Sequence, residues 1–448
     1  MKKIFLLIVL MNVFSVLVCA QIKDSLSSYF SLQQAIEFAY QHQKDVLNAD
    51  LDVQIAKAKV KETRGMGLPQ VAASFDVKDY IELNYLFPDI FAGGEPGAFV
   101  GLPIQTPSYS ATAGVQATQL LFDGSYLVGL KASKTYREFS HKNLTRTKID
   151  LVVAVSKAYY SVLVNRKRLS LVFANVTRLK KLNDDTKAMY DNGFVEKIDL
   201  DRVLLTYNNI NTEKEKAERL IALSEYYLKF QMGIDIHEKI LLTDSLNVEN
   251  IRNVGMLSEK NDVTNRIEYS LLQTQQRLLE LDLKKNRAQY YPSIVLYGNL
   301  YTTEQRPTFD PFNREKKWYP TGFVGATFSL PIFSGLQKHY RVDQAKLSIR
   351  KLKNEIDYAS NVLDLETISS KTALTNAVAS LNTQEKNLEL ANEVYRVSKL
   401  KYDQGVGSNL EVINAETSLK EAQINYYNAM YEALVAKIDL DKSLGLIK

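Results

Sequence analysis

Two periodicities alternate along the chain, and they alternate twice. From Ser125 to Tyr190 there is no proline and Gly129 is the only glycine. In that run Leu151, Val155, Ala158, Val162, Leu169, Val172, Val176 and Leu179 step by four, three or seven. This is the narrow seam of a coiled coil, not the broad stripe of a globular helix. From Leu336 to Tyr402 there is neither proline nor glycine, and Leu374, Val378, Leu381, Leu388, Tyr395 and Tyr402 keep one heptad phase. A helix of about 65 residues is a rod of about 100 Å at 1.5 Å per residue.

Ahead of each long run lie two segments of period two. Val71, Ala73, Phe75 and Val77 alternate with Ala72, Ser74, Asp76 and Lys78. Tyr109, Ala111, Ala113, Val115 and Ala117 alternate with Ser110, Thr112, Gly114, Gln116 and Thr118. Ile294, Leu296 and Leu300 oppose Ser293, Tyr297, Asn299 and Tyr301. Val324, Ala326, Phe328 and Leu330 oppose Thr321, Gly325, Thr327 and Ser329. The expected strands, about 70–84, 108–122, 291–303 and 318–332, have the length of tilted strands crossing a bilayer. A half-buried soluble sheet gives the same alternation. Aromatic residues at the strand ends, Tyr80, Tyr85, Tyr290, Tyr291, Trp318 and Tyr319, suit membrane interfaces. The Gly/Pro-rich stretches Leu86 to Pro107 and Thr302 to Lys317 are expected as loops.

The order helix, strand, strand, long helix, turn, helix thus occurs twice. Helical runs opening at QKDV (Gln43) and RIEY (Arg266) end at Pro69 and Pro292. The strand pairs close at LLFDG (120–124) and PIFSG (331–335). The turns are YDNGFVEKIDL (190–200) and YDQGVGSNLEV (402–412), with tips expected at about 191–198 and 403–409. Gly193, Gly405 and Gly407 end the outgoing helices, and Ser408 or Asn409 caps the second returning one. The expected divisions are a signal peptide at 1–20, a first repeat at 21–235, an irregular segment at 236–261 and a second repeat at 262–448.

The N-terminus has the form of an export signal: Lys2 and Lys3, an apolar core from Ile4, and Val18-Cys19-Ala20 before Gln21. Cys19, the only cysteine, is either removed with the signal or lipidated as the first mature residue; bulky Val18 favours removal. No later stretch reaches the roughly 20 apolar residues of a spanning helix, so entry into a membrane is left to strands. Four strands cannot close a barrel alone, and lipid offers their edges no hydrogen bonds. Closure with identical neighbours is expected, and three copies give twelve strands and a helical cylinder.

Charge and candidate chemistry narrow the classes. The net charge of +5 is small for 448 residues, and acids interleave with bases, so no nucleic-acid footprint is indicated. His42, His141, His237 and His339 lack ligand spacing. Ser398-Lys399-Leu400-Lys401 copies an SxxK pattern without its companion motifs, and Gly405-Val406-Gly407 lacks a preceding strand. No catalytic constellation is found, and neither an enzyme nor a cofactor is expected.

The duplicated plan, the prolines opening the first strand of each pair, the FDG and FSG exits and the YDxG turns together resemble the TolC-type outer-membrane efflux proteins. The resemblance covers nearly the whole chain after the signal. It implies a mixed, mainly α fold: a homotrimer whose twelve-stranded β-barrel in the outer membrane continues into a long α-helical barrel in the periplasm. It implies a passive exit duct for a tripartite efflux or secretion system, with a periplasmic adaptor and an inner-membrane pump as partners. It also implies a gate at the hairpin tips. The family's acidic positions are matched by Asp199 and Glu411, with Asn414 where a second aspartate stands, and its gating tyrosine by Tyr402. Gly407 replaces the family's arginine in the turn. Asp199 and Glu411 are also explained as first-turn acids facing a helix dipole. The alternative function is an exported coiled-coil structural or adhesive protein with a soluble sheet.

Overall fold

The computed structural model describes residues 28–81, 85–86, 104–105, 107–246, 263–310 and 317–447. The expected signal with Cys19 and most of the loop at 86–107 lie outside them. The chain divides into two units, residues 49–145 with 264–362, and residues 1–48 with 146–263 and 363–448.

The first unit is built on a four-stranded antiparallel sheet in the order β2 (Gln70–Asp79), β5 (Tyr109–Asp123), β7 (Ser293–Arg306), β8 (Tyr319–Ser329). A two-residue bridge pairs β3 (Tyr85–Leu86) with β4 (Ile104–Gln105). The sheet register turns the sequence alternation into two faces. Ala73, Val115, Leu300 and Gly322 lie in one row, and Val71, Ala117, Gly298 and Val324 in another. Ser74, Gly114, Tyr301 and Thr321 form a row of the opposite, polar face, as do Asp76, Thr112, Thr303 and Tyr319. Each residue of a row faces the same side because antiparallel partners share a face. Val71, Leu300, Val324 and Phe328 of the apolar face are all exposed in the single chain. On the polar face the Tyr297 and Tyr301 rings stand edge-on to Phe323 at 6.1 and 6.3 Å. Among the described residues, neither β2 nor β8 has a partner on its outer side.

Strand ends differ from expectation where a partner runs out. β2 stops at Asp79, because β5 begins opposite it at Tyr109, just past Pro107. β8 stops at Ser329, opposite the first residue of β7, so Leu330 to Ile332 leave the sheet. β7 instead continues to Arg306 along the longer β5, so Thr302 to Arg306 are strand and not loop.

The same unit holds most of α2 (Lys44–Gly65), all of α5 (Ile267–Ala288) and the starts of α3 (Gly124–Asp191) and α6 (Gln337–Asp403). Asp123 starts α3 by accepting from Ser125 Oγ at 2.6 Å and Tyr126 N at 2.9 Å. At the second corner Gly335 and Leu336 both have positive φ, 57° and 62°.

The second unit contains β1 (Ser28–Phe30), α1 (Leu32–His42), the rest of α3 and α6, α4 (Lys197–Met232), β6 (Ile240–Leu242) and α7 (Asn409–Ser443). α1 carries a capping box: Ser31 Oγ accepts from Gln34 N, and Gln34 Oε1 accepts from Ser31 N at 2.9 Å. The segment expected as irregular, 236–261, contains β6, which pairs in parallel with β1. Asp244 just beyond it accepts from Leu32 N at 2.8 Å. The buried Tyr159 hydroxyl of α3 lies 3.0 Å from the Asp244 carboxylate and 2.9 Å from the Phe30 carbonyl. Burial, then Asp244, pushes the Tyr159 phenol up from its ordinary range.

The seams are where the heptads place them. Leu151, Val155, Ala158, Val162, Val172 and Leu179 of α3 are buried, as are Leu374, Leu381 and Tyr402 of α6. Leu374, Ala377 and Leu381 pack on Ala429, Met430, Ala433, Leu434 and Leu440 of α7. Alanine at three of these positions lets the two backbones approach closely. No described helix is long and apolar enough to cross a membrane.

Candidate functional site

The two hairpin tips are built alike because their sequences are. α3 ends with Gly193 N donating to Tyr190 O at 2.9 Å and Phe194 N to Met189 O at 2.8 Å. α6 ends with Gly405 N donating to Tyr402 O and Val406 N to Lys401 O, both at 3.0 Å. These bonds form a Schellman-type end, which needs a left-handed residue. Gly193 (φ 80°) and Gly405 (φ 73°) supply it.

Gly407 does not: it has no positive φ. It is small for a different reason. A Cβ there would meet Lys401 Cβ at 2.9 Å and Tyr402 N at 3.0 Å, because the Gly407 N–H donates back to Lys401 O. Ser408 is the cap of α7, its Oγ accepting from Glu411 N at 3.2 Å. Asn409 is not a cap but the first helical residue. Glu196 stands at the corresponding start of α4, where its side chain makes no capping bond among the described residues.

Asp199 and Glu411 occupy the first turns of α4 and α7. There the free N–H groups and the helix dipole favour negative charge. Asp199 also lies 3.5 Å from Arg202 on its own helix. Glu411 and Asn414 are exposed. The two tips meet through the Asn409 side chain, whose Nδ2 donates to the Asp199 carbonyl at 3.2 Å.

Tyr402 is not with these polar groups. It is buried among Val172, Leu179, Leu182, Val203, Ile210 and Val412, which come from three other helices. Its hydroxyl reaches Met189 Sδ at 3.5 Å. In this conformation it is a core residue behind the tips.

Two features escaped the sequence reading. Phe194 and Val406, at equivalent tip positions, are 81% and 78% exposed. Behind the tips Arg178 of α3 pairs with Glu416 of α7 at 3.2 Å. The signal for the second feature was the spacing of Asn409, Glu416 and Gln423, one heptad apart.

At the sheet ends Tyr290 and Tyr291 precede β7, and Lys338 Nζ sits 5.6 Å over the Tyr290 ring. Tyr80, Trp318 and Tyr319 lie at the opposite end, beside the Tyr109 end of β5. Tyr85 belongs to β3, and its side chain is outside the described residues. Among the described residues no group of His, Cys, Asp and Glu has the arrangement of a metal site.

A membrane-length antiparallel sheet with one apolar face, joined to paired helical hairpins of extreme length, defines the TolC-type outer-membrane channel fold. Solved structures share it. The outer membrane protein VceC from Vibrio cholerae superposes with a TM-score of 0.71 at 15% identity, over 92% of this chain and 96% of that one. The open MtrE outer membrane channel of Neisseria gonorrhoeae gives 0.69 at 18% identity, over 92% and 88%. In sequence, the probable efflux pump outer membrane protein TtgC of Pseudomonas putida is 22% identical over 424 residues, 93% of this chain and 83% of that protein. The outer membrane protein TolC of Escherichia coli K12 is 22% identical over 447 residues, 94% and 85%. Residues 35–233 and 270–446 each match the outer membrane efflux protein family. The chain belongs to that family, so it is an outer-membrane transport protein and not an enzyme.

Proposed function

We propose that the protein is the outer-membrane exit duct of a tripartite efflux or secretion system. The carrying observation is the sheet: an apolar face beside two edges that have no partner among the described residues. β8 runs antiparallel to β2, so β8 of one copy can pair with β2 of the next without breaking the alternation. Three copies give twelve strands, with the apolar face toward outer-membrane lipid and the polar face toward the lumen. The aromatics Tyr80, Tyr85, Tyr290, Tyr291, Trp318 and Tyr319 then sit at the two interfaces. The proposed divisions are the signal at 1–20, repeats at 21–235 and 262–448, and a connecting segment at 236–261 that includes β6.

The hairpin tips form the periplasmic mouth. Asp199, Glu411 and Asn414 line it, and a ring of like charges at a narrow mouth focuses potential and biases which ions enter. Tyr402 acts through packing, by holding α6 against the other hairpin. The turns at Gly193, Gly405 and Gly407 present Phe194 and Val406 outward as paired apolar contacts for a periplasmic adaptor. The adaptor in turn couples the duct to an inner-membrane pump, which supplies the energy.

Reconstitution in a planar bilayer tests this reading. A duct gives discrete, ohmic, energy-independent current steps. Absence of any current from protein in the outer-membrane fraction favours the coiled-coil stalk instead.

A further inference from the structure

Three polar residues interrupt the seam face of α7 at heptad spacing. Asn409, Glu416 and Gln423 are all buried, with the buried Val412 and Leu419 between them. Each is bonded to the first hairpin: Asn409 to the Asp199 carbonyl, Glu416 to Arg178, and Gln423 to Asn175 Nδ2 at 3.2 Å. Farther along α7 the buried positions turn apolar, at Ala429, Met430, Ala433 and Leu434. Polar contacts between the hairpins recur there, Lys157 with Asp439 at 2.6 Å and Asp150 with Lys442 at 2.8 Å, but those side chains are partly exposed, so the buried polar rungs between the hairpins lie toward the tips. Polar residues at seam positions fix register at a cost in stability.

Glu416 is the costly rung. Its side chain is 5% exposed, against 32% for Arg178. Both Arg178 bonds, from Nε at 3.4 Å and Nη2 at 3.2 Å, go to Oε1. Oε2 has no hydrogen-bond partner among the described residues. Besides Arg178 of α3, the titratable groups that act on it are Lys420 of α7 and Tyr395 of α6. The Arg178 guanidinium lies 5.5 Å over the Tyr395 ring. Lys420 is itself engaged by Glu213 of α4 at 2.9 Å. Asp403 of α6 is held by Lys399 at 2.7 Å.

We propose that Glu416 is a proton-operated spring in the seam between the hairpins: ionised, it favours their separation, and acid closes them. The proposal rests on reading the tips as the channel's movable end. The sign follows from the site. Burial outweighs the attraction of Arg178 and Lys420 and lifts the carboxyl above its ordinary range. In a separated seam the carboxyl meets water and returns to that range. The closed seam therefore binds the proton more tightly. Its extra stability is fully present below the ordinary carboxylate pKa and is lost as pH rises through the raised one. Each unit of difference changes the open-to-closed ratio by about tenfold.

The test uses the detergent-solubilised oligomer with spin labels at Lys180 and Glu421, exposed residues on α3 and α7. Inter-label distances are read by double electron–electron resonance from pH 4 to pH 8, as a range of about four units. The wild type should shift from a single short distance in acid toward a longer, broader distribution as pH rises. Glu416→Gln, which keeps the shape of the protonated group, should hold the short distance throughout. A distribution unchanged by pH, or one that broadens in acid, overturns the proposal. So does a Glu416→Gln protein that opens with pH like the wild type. The wild-type series stands even if the variant does not fold. Loss of bilayer current would count against the duct reading, while the label distances report on the seam independently.

Discussion

The Asn409 side chain of the second hairpin donates to the Asp199 carbonyl of the first at 3.2 Å, tying the two tips of one chain together. Asn409 is buried, and its Oδ1 has no hydrogen-bond partner among the described residues. Replacing it removes one cross-hairpin bond worth about 1 kcal/mol. Asn409→Ala should raise the resting single-channel conductance, or the fraction of time spent in larger conductance states. Unchanged conductance would mean that the tips are held by packing alone.

Glu411 is exposed at the start of α7. If it lines the mouth, Glu411→Gln removes one charge per chain from the ring and weakens block of the current by divalent cations. Titrating such a cation against the wild type and the variant measures this. Equal block in both would take Glu411 out of the mouth and leave it as a first-turn acid.

The tip glycines should separate by mechanism. Gly405→Ala forces a side chain into a left-handed conformation, at about 1–2 kcal/mol. Gly407→Ala has no such backbone penalty, yet its Cβ meets Lys401 Cβ at 2.9 Å. Both variants should speed hydrogen exchange at Lys401 to Val406. With Gly407→Ala the turn must move away from the helix end, so Gly407 N–H, which donates to Lys401 O, should lose protection most.

Leu381 is fully buried between α6 and α7. Leu381→Ala should cost about 2–5 kcal/mol through lost contact and the cavity left behind. Leu390, exposed on the same helix, should give a change within about 0.5 kcal/mol when replaced by alanine. Denaturant unfolding of the two variants makes the comparison.

The long helices and the sheet were legible because their signals repeat. Leu151 to Leu179 hold one phase over four heptads, and the apolar set from Val71 to Phe328 falls on a single face once paired. The tip turns were legible through Gly193 and Gly405. The pairing of β1 with β6 was not, since three-residue strands are too short to show alternation. The start of α1 is written in the Ser31–Gln34 capping box, twelve residues ahead of the helical run expected from Gln43. That residue instead caps α2, its Oε1 accepting from Asp45 N and Val46 N.

In the tips, residue type gave position but not surroundings. Asp199 and Glu411 stand in first turns as the sequence implied. Tyr402 lies in a core assembled from four helices, which no single helix pattern reveals. The Glu416 contact escaped because its partner Arg178 is 238 residues away and belongs to the other hairpin.

A channel of this kind requires the sheet to be closed by copies of the same chain. Native mass spectrometry of the protein extracted from outer membranes in mild detergent tests that directly. The expected result is a single species of three chains that detergent alone releases. A monomer that stays soluble without detergent would contradict it.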